Sequence, residues 1–380
     1  MLGVPQEQSK FREFVRDFVA RNVTPYVREW EGAGRPPGDL FRRMGACGLL
    51  GVRIGEESGG MGRDIWFLSI LIEELMRSGS AGVVMSVLAH TEFAVGVIDR
   101  EGTPDLRERF VKPAVRGEVI GALGITEPTG GSDVGAICTR AERAGDEYVI
   151  DGAKKFIGNG SIADFVVTAV RTGGRGPGGI SLIVVPADAR GFRRGPPLRK
   201  VCGSSLDSGQ LFFEGCRVPA HNLLGPLNGG FRQLVRGFES ERLMLTVMAY
   251  SHMQLLYEEA RRYGREREVF GSKLLGFQTW RHRLADVRTT IEASVAITHR
   301  AMARHVSGEP ANDQISMAKL FVTEHVASVA KECAQMFGGN AVLEDSLMGR
   351  LHRDAFGYTI GAGTSEMMRE MIASAEGLRG

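Results

Sequence analysis

Residues 141–160 read "AERAGDEYVIDGAKKFIGNG", and this stretch decides the fold class. Apolar and polar residues alternate on both sides of the "AGDE" turn, the period-two pattern of a β-hairpin. Further along the chain come "ADFVVTAVRT" (163–172), "ISLIVVPAD" (180–188) and "GQLFFEGCRVP" (209–219). These are β-branched or aromatic runs bounded by Gly and Pro, as strands are. Residues 118–228 are therefore expected to form a compact antiparallel barrel or sandwich.

Outside this block the period changes to that of helices. "QSKFREFVRDFVARNVTPYV" (8–27) sets Phe11, Phe14, Val15 and Phe18 on one stripe with charges opposite. Two further helical runs follow before residue 117. Between them "GEESGGMGRD" (55–64) fits neither a P-loop nor a G-x-G-x-x-G fingerprint and reads as a surface loop. After "GPLNGG" (225–230) the stretches 231–264, 278–306 and 313–337 are long and amphipathic, the pattern of an antiparallel bundle. A last helix starts at Thr364, which can cap it, with Glu366 in its first turn. The order gives three domains, 1–117 helical, 118–228 β and 229–380 helical. It contains no βαβ alternation, so a nucleotide cofactor would bind without a Rossmann unit.

Bulk properties exclude several classes. With 47 basic and 45 acidic residues the net charge is +2, which offers no nucleic-acid surface. Only 8 of the basic residues are lysines, a bias that points to genome composition. Five dispersed cysteines with no C-x-x-C pair argue for a reducing compartment and against a disulfide frame or a zinc site. The N-terminus "MLGVPQEQSKFREFVRDF" is too polar for a signal peptide, and no stretch approaches the roughly 20 apolar residues of a membrane span. A soluble, cytoplasmic protein is expected.

Four motifs carry the chemistry. "ALGITEPTGGSDVG" (122–135) is a strand end running into a glycine-rich turn, which offers N–H groups and hydroxyls to a polar ring edge. "KKFIGNG" (154–160) places an aromatic beside glycines. "YGREREVFGSKLLGFQ" (263–278) holds an arginine whose planar guanidinium suits a diphosphate. "QMFGGNAVLEDSLMGRLHRDA" (335–355) has glycines that permit close backbone approach. Together these resemble the signatures of the acyl-CoA dehydrogenase family over nearly the whole chain, most closely over 120–367.

The resemblance implies a mainly α chain with a central β domain: an N-terminal helical domain, a middle β-barrel and a C-terminal four-helix bundle. It implies FAD, contacted by Leu123, Ile125, Thr126, Gly131, Ser132, Phe156, Ile157 and Gly158. It also implies flavin contacts from Arg267, Phe270, Gln278, Gln335, Gly338, Gly339, Thr364 and Glu366, with Arg267 reaching a neighbouring subunit's FAD in a homotetramer built as a dimer of dimers. At 158 the family usually has a hydroxyl residue, so the side-chain bond to the flavin is lost there. Ala341 stands for a usual glycine and Val342 for a usual aromatic. Ser132, Glu239, Arg242 and Gly363 match substrate-contacting positions. The implied reaction takes acyl-CoA to trans-2-enoyl-CoA and passes electrons to an electron-transfer flavoprotein or similar acceptor.

One departure bears on mechanism. Removing the weakly acidic α-proton needs a positioned carboxylate and stabilisation of an enolate-like charge. Many relatives hold that carboxylate in the turn "TIGAGTSEM" (359–367), where this chain has Ala362. The backbone N–H at 362 remains able to donate to a thioester carbonyl. Members resembling the isovaleryl and long-chain branches carry the base on the first bundle helix, directly before an arginine, and "ESERLML" (239–245) supplies Glu241 before Arg242. The apolar neighbours of Glu241 are suited to raising its pKa. The alternatives are a solvent-facing Glu241, an acyl or aminoacyl (for instance prolyl) substrate tethered to a carrier protein, a flavin monooxygenase on the same fold, and a non-catalytic binding protein. No metal site is expected.

Overall fold

A computed structural model describes residues 6–378. The N-terminal third is helical: α1 (Gln6–Asn22), α2 (Val27–Ala33), α3 (Gly38–Ala46), α4 (Ile65–Met76), α5 (Ala81–Leu88), α6 (Gly96–Glu101), α7 (Pro104–Leu106) and α8 (Lys112–Val115). Asp64 caps α4 and Ser80 caps α5, each accepting first-turn N–H groups. On α1, Phe11, Val15 and Phe18 face the core, but Phe14 is 45% exposed, so the expected stripe is one residue narrower.

Helices α5 and α6 join through a π-helical segment, Ala89–Val95, into one continuous run from Ala81 to Glu101. This run has the length and hydropathy of a membrane span, contrary to the reading of the sequence. Its apolar window is 89% buried inside the protein, which makes it a core helix. The composition test fails here because a helix buried on all sides is apolar all round, as a span is.

The middle of the chain forms one sheet: β1 (Gly121–Gly124), β2 (Arg140–Ala144), β3 (Glu147–Gly158), β4 (Phe165–Arg171), β5 (Ile180–Pro186), β6 (Phe192–Arg194), β7 (Ser208–Pro219) and β8 (Leu223–Leu224). The β2–β3 hairpin turns at Gly145, whose φ of 65° suits a residue without Cβ. Two expectations are corrected. The order β6-β7-β3-β2-β4-β5-β8 leaves β6 and β8 as edges, so the sheet is not a closed barrel. Nor is it purely antiparallel, because β4 pairs in parallel with β1 and, at one residue, with β2. The short β1, β6 and β8 carry too few residues for a period-two signal.

The C-terminal part is a bundle of α9 (Gly230–Glu266), α10 (Gln278–Val306) and α11 (Asn312–Phe337), completed by α12 (Leu347–Asp354) and α13 (Ser365–Ala375). Between α9 and α10 a small hairpin pairs β9 (Glu268–Val269) with β10 (Ser272–Lys273). The core of the bundle is continuous with that of the N-terminal helices, through residues such as Leu71, Val83, Met248 and Val326.

Candidate active site

The π-helical segment 89–95 is where three elements meet. His90 is fully buried, and burial pushes its imidazole down to about 4, so it is neutral. Its Nδ1 accepts from the Gly121 N–H at 3.0 Å, which leaves Nε2 to donate to the Ala114 carbonyl at 3.1 Å. That pair of bonds ties the segment to β1. Ala89 lies under the end of β3, where a Cβ at Gly158 would stand 3.2 Å from its methyl and 3.5 Å from Leu206. A hydroxyl side chain at 158 would be crowded, which gives the departure at this position a local reason. Glu92, 8% exposed, accepts from Arg53 Nη1 at 2.7 Å and from the Ser240 hydroxyl of α9 at 3.3 Å.

The two glycine-bearing motifs of the β domain also come together. The Lys155 N–H donates to the Thr126 carbonyl at 2.9 Å, setting the "TEP" segment against the end of β3. Beneath them Lys154, wholly buried, donates to Glu127 Oε1 at 2.8 Å and to the Ile125 carbonyl at 3.0 Å. Burial lowers the Lys154 ammonium to about 8 against the pull of Glu127. Burial opposes ionisation of Glu127, but the Lys154 charge and bonds from Thr139 and Cys138 hold its carboxyl below the ordinary value. The following turn is closed by reciprocal backbone bonds between Glu127 and Gly130, leaving Gly131 and Ser132 exposed. Phe156 sits at φ 61° where the β3–β7 register shifts, and the residue is 62% exposed. A bulge that holds a large aromatic outward, beside exposed Gly and Ser, suits the face of a flat ring. Leu123, Ile125, Ile157 and Gly158 flank this surface, with Ile157 turned into the sheet's core.

On the other side of the 89–95 segment stands Glu241. Its side chain is reached by solvent over part of its surface yet lies deep among protein atoms, as a group inside a cleft does. Burial pushes its carboxyl up to about 7, only partly offset by the charge of Arg242. Arg242, 6% exposed, reaches from α9 to the turn before α13: its Nε donates to the Ala362 carbonyl at 3.2 Å and its Nη1 to Asn312 Oδ1 at 3.2 Å. Its guanidinium stacks over Phe238. Leu245, one helical turn after Glu241, abuts Gly361. The turn 359–364 therefore lies against the stretch of α9 that carries Glu241. Ala362 has φ 55° and Gly363 φ 95°, both left-handed. Lys319 of α11, wholly buried, donates to the Gly363 carbonyl at 2.7 Å. Thr364 caps α13 by accepting from Met367 N–H, and backbone N–H and Thr364 bonds hold the exposed Glu366 carboxyl below its ordinary value. Glu239 faces His305 of α10 at 3.2 Å.

The other expected cofactor residues do not join this cluster within the chain. Arg267 follows α9 directly, 26 residues after Glu241, so the helical rise separates them by roughly 39 Å. Phe270 is 99% exposed at the tip of the β9–β10 hairpin, with φ 51°. Exposed Gln278, Gln335, Gly338 and Gly339 lie at that same end, where Tyr263 stacks on Phe337 at 4.1 Å and accepts from Asn340 at 3.1 Å. Reading the sequence missed Lys154, Glu127, Lys319, Asn312 and the Arg53–Glu92–Ser240 group. A signal existed for Lys319: it stands on the apolar stripe Ile315, Ala318, Val322, where a lysine is out of place. Lys154 likewise occupies an inward position of β3.

Family models match the chain along its length: the acyl-CoA dehydrogenase N-terminal domain at residues 5–118, the middle domain at 122–216 and the C-terminal domain at 228–376. The long-chain specific acyl-CoA dehydrogenase of Rattus norvegicus mitochondria is 35% identical over 97% of this chain and 86% of its own. A short-chain specific acyl-CoA dehydrogenase of Clostridium acetobutylicum is 33% identical over 98% of each. Among solved structures, a probable acyl-CoA dehydrogenase of Mycobacterium abscessus superposes with a TM-score of 0.96 at 39% identity, covering 98% of this chain and 99% of its own. The outward Phe156, the exposed Gly131–Ser132 turn and the backbone at 126 and 158 fit a flavin ring. The chain belongs to the acyl-CoA dehydrogenase family of FAD-dependent oxidoreductases.

Proposed function

We propose that this enzyme oxidises an acyl-CoA thioester to the trans-2-enoyl thioester, with Glu241 as the base and the Ala362 N–H as a donor to the thioester carbonyl. The observation that carries the reading is a carboxyl held near pKa 7 on the stretch of α9 against which the Ala362 turn packs. A base poised near working pH combines a useful ionised fraction with enough basicity to accept a carbon-bound proton. Thioester binding would bring the α-carbon to the Glu241 carboxylate, which takes the proton. The electron pair left behind spreads onto the thioester oxygen, where the Ala362 N–H stabilises it. No acceptor within the chain takes that N–H among the described residues, which suits it to an incoming carbonyl. Arg242 secures the turn through the Ala362 carbonyl and stacks over Phe238, and with Ser132, Glu239 and Gly363 it would contact the bound acyl-CoA.

Leu123, Ile125, Thr126, Gly131, Ser132, Phe156, Ile157, Gly158, Thr364 and Glu366 would hold the flavin of the same subunit. Arg267, Phe270, Gln278, Gln335, Gly338 and Gly339 would serve a neighbouring subunit's FAD in a homotetramer, a reading their distance from Glu241 supports. Bound FAD supplies the acceptor for the hydride that leaves the β-carbon. An electron-transfer flavoprotein would receive the electrons, and the cytoplasm is the proposed location.

Anaerobic titration of the purified protein with octanoyl-CoA, following the visible flavin band, tests this reading. Bleaching in the wild type, slowed roughly a thousandfold in Glu241→Gln, is the expected result. Equal bleaching in both would remove Glu241 from the role. Bleaching by aminoacyl groups on a carrier protein, with none by CoA esters, would move the substrate to the carrier.

A further inference from the structure

Resting on that reading of the site, we propose that Lys319 is a positioning residue for the proposed thioester-binding turn, clamping its carbonyls so that the Ala362 N–H stays aimed at the reacting carbonyl. Its ammonium is enclosed by the bundle and donates to the Gly363 carbonyl at 2.7 Å, with the Thr359 carbonyl at 3.5 Å. These two acceptors bracket Ala362, one on each side along the chain. Arg242 binds the carbonyl between them, so two cations from two helices grip one five-residue turn.

The backbone bonds donated by Ile360 and Gly361 both reach back to Gly357, and Ala362 lies beyond them. Ala362 also keeps a left-handed backbone without being glycine, a strained conformation that persists only when its surroundings impose it. Lys319 is well placed to impose it, because it makes no ion pair within 4 Å of any described carboxylate. Its donors are spent on carbonyls. The charged groups that act on it are Arg242 of α9, Glu366 of α13 and Glu324 on its own helix, and Glu324 is already paired with Arg369 at 2.7 Å. Removing Lys319 would leave the two carbonyls without their donor and the turn free to relax out of the left-handed region. A merely structural lysine would change stability and leave the chemistry of bound ligand unaltered.

The test uses FAD-loaded protein and 3-thiaoctanoyl-CoA, an ester whose α-proton can be removed but whose β-position is sulfur and yields no hydride. The bound enolate gives a long-wavelength charge-transfer band, and the pH at half-maximal band reports the acidity of the α-proton on the enzyme. Lys319→Met is expected to raise that midpoint by about one unit, a tenfold loss of enolate at fixed pH, with Lys319→Arg restoring most of it. Amide exchange over residues 359–364 should quicken in Lys319→Met alone. An unchanged midpoint in a folded Lys319→Met protein overturns the proposal. If Lys319→Met gives no cooperative melt, Lys319→Gln, which keeps an amide donor group and loses the charge, takes its place with a shift in the same direction expected and an unchanged midpoint again overturning the proposal. A wild type that forms no band at any pH sinks the proposed function itself, a result distinct from a band that ignores Lys319.

Discussion

Glu241 and Ala362 share one local problem, the supply of a carboxylate where the turn has a methyl. The proposed placement of the base on α9 would leave a thermodynamic trace. The ordinary value for the Glu241 carboxyl is 4.5, and burial raises it to about 7 in the folded protein. Between those values the unfolded chain has released the proton while the folded one retains it. Stability contributed at low pH is thus lost as pH rises from about 4.5 to about 7. Glu241→Gln escapes that loss, so it should stabilise the protein at pH 8 by roughly 1–3 kcal/mol relative to its effect at pH 4.5. Denaturant unfolding at the two pH values checks this, and equal effects would mean the carboxyl is not desolvated. Activity has the opposite sign: flavin reduction by substrate should climb through about pH 7 as the base ionises. The sequence made the Glu241–Arg242 pair and the alanine legible, since both are local substitutions in recognisable motifs. It did not reveal that Arg242 would bind the Ala362 carbonyl, because 120 residues separate them.

The π-helical segment 89–95 touches both the end of β3, at Gly158, and α9, at Ser240, and so joins two parts of the candidate site. The hairpin, the long strands and the three long helices were readable from period alone. The edges of the sheet, its parallel pairings and the membrane-like appearance of Ala81–Glu101 were not. Each depends on what an element packs against, and periodicity reports only which residues share a face. Lys154 and Glu127 illustrate the same limit. Both letters stand in quoted motifs, yet their burial as a pair beneath the Thr126–Lys155 backbone follows from the strand pairing. Lys154→Met should cost roughly 3–5 kcal/mol, because it strands a buried carboxylate, while the double variant Lys154→Met/Glu127→Gln should cost less. A double-mutant cycle by denaturant unfolding measures the coupling. Additive single effects would mean that the two groups do not depend on one another.

For the whole molecule, α9 is the organising element. It runs from the proposed base to Arg267 just past its end, and it sets those two residues about 39 Å apart. Two groups of expected cofactor residues on one chain can serve one flavin only if chains assemble so that the end of one meets the start of another. The exposed ring of Phe270 at a hairpin tip is what such an arrangement leaves unburied in a single subunit. Phe270→Asp should therefore give a smaller particle in sedimentation velocity together with lowered FAD content. Arg267→Ala should lower FAD content with the particle size kept. Full FAD occupancy in a monomeric Phe270→Asp protein would separate cofactor binding from assembly.

In the proposed function the base stands on the helix α9 and not on the turn. The rate of anaerobic flavin reduction by octanoyl-CoA in three proteins tests it most directly: wild type, Glu241→Gln, and Glu241→Gln combined with Ala362→Glu. Fast reduction, loss of roughly a thousandfold, and partial recovery when a carboxylate is returned through the turn are the expected results in that order. A Glu241→Gln protein reduced as fast as the wild type would contradict it.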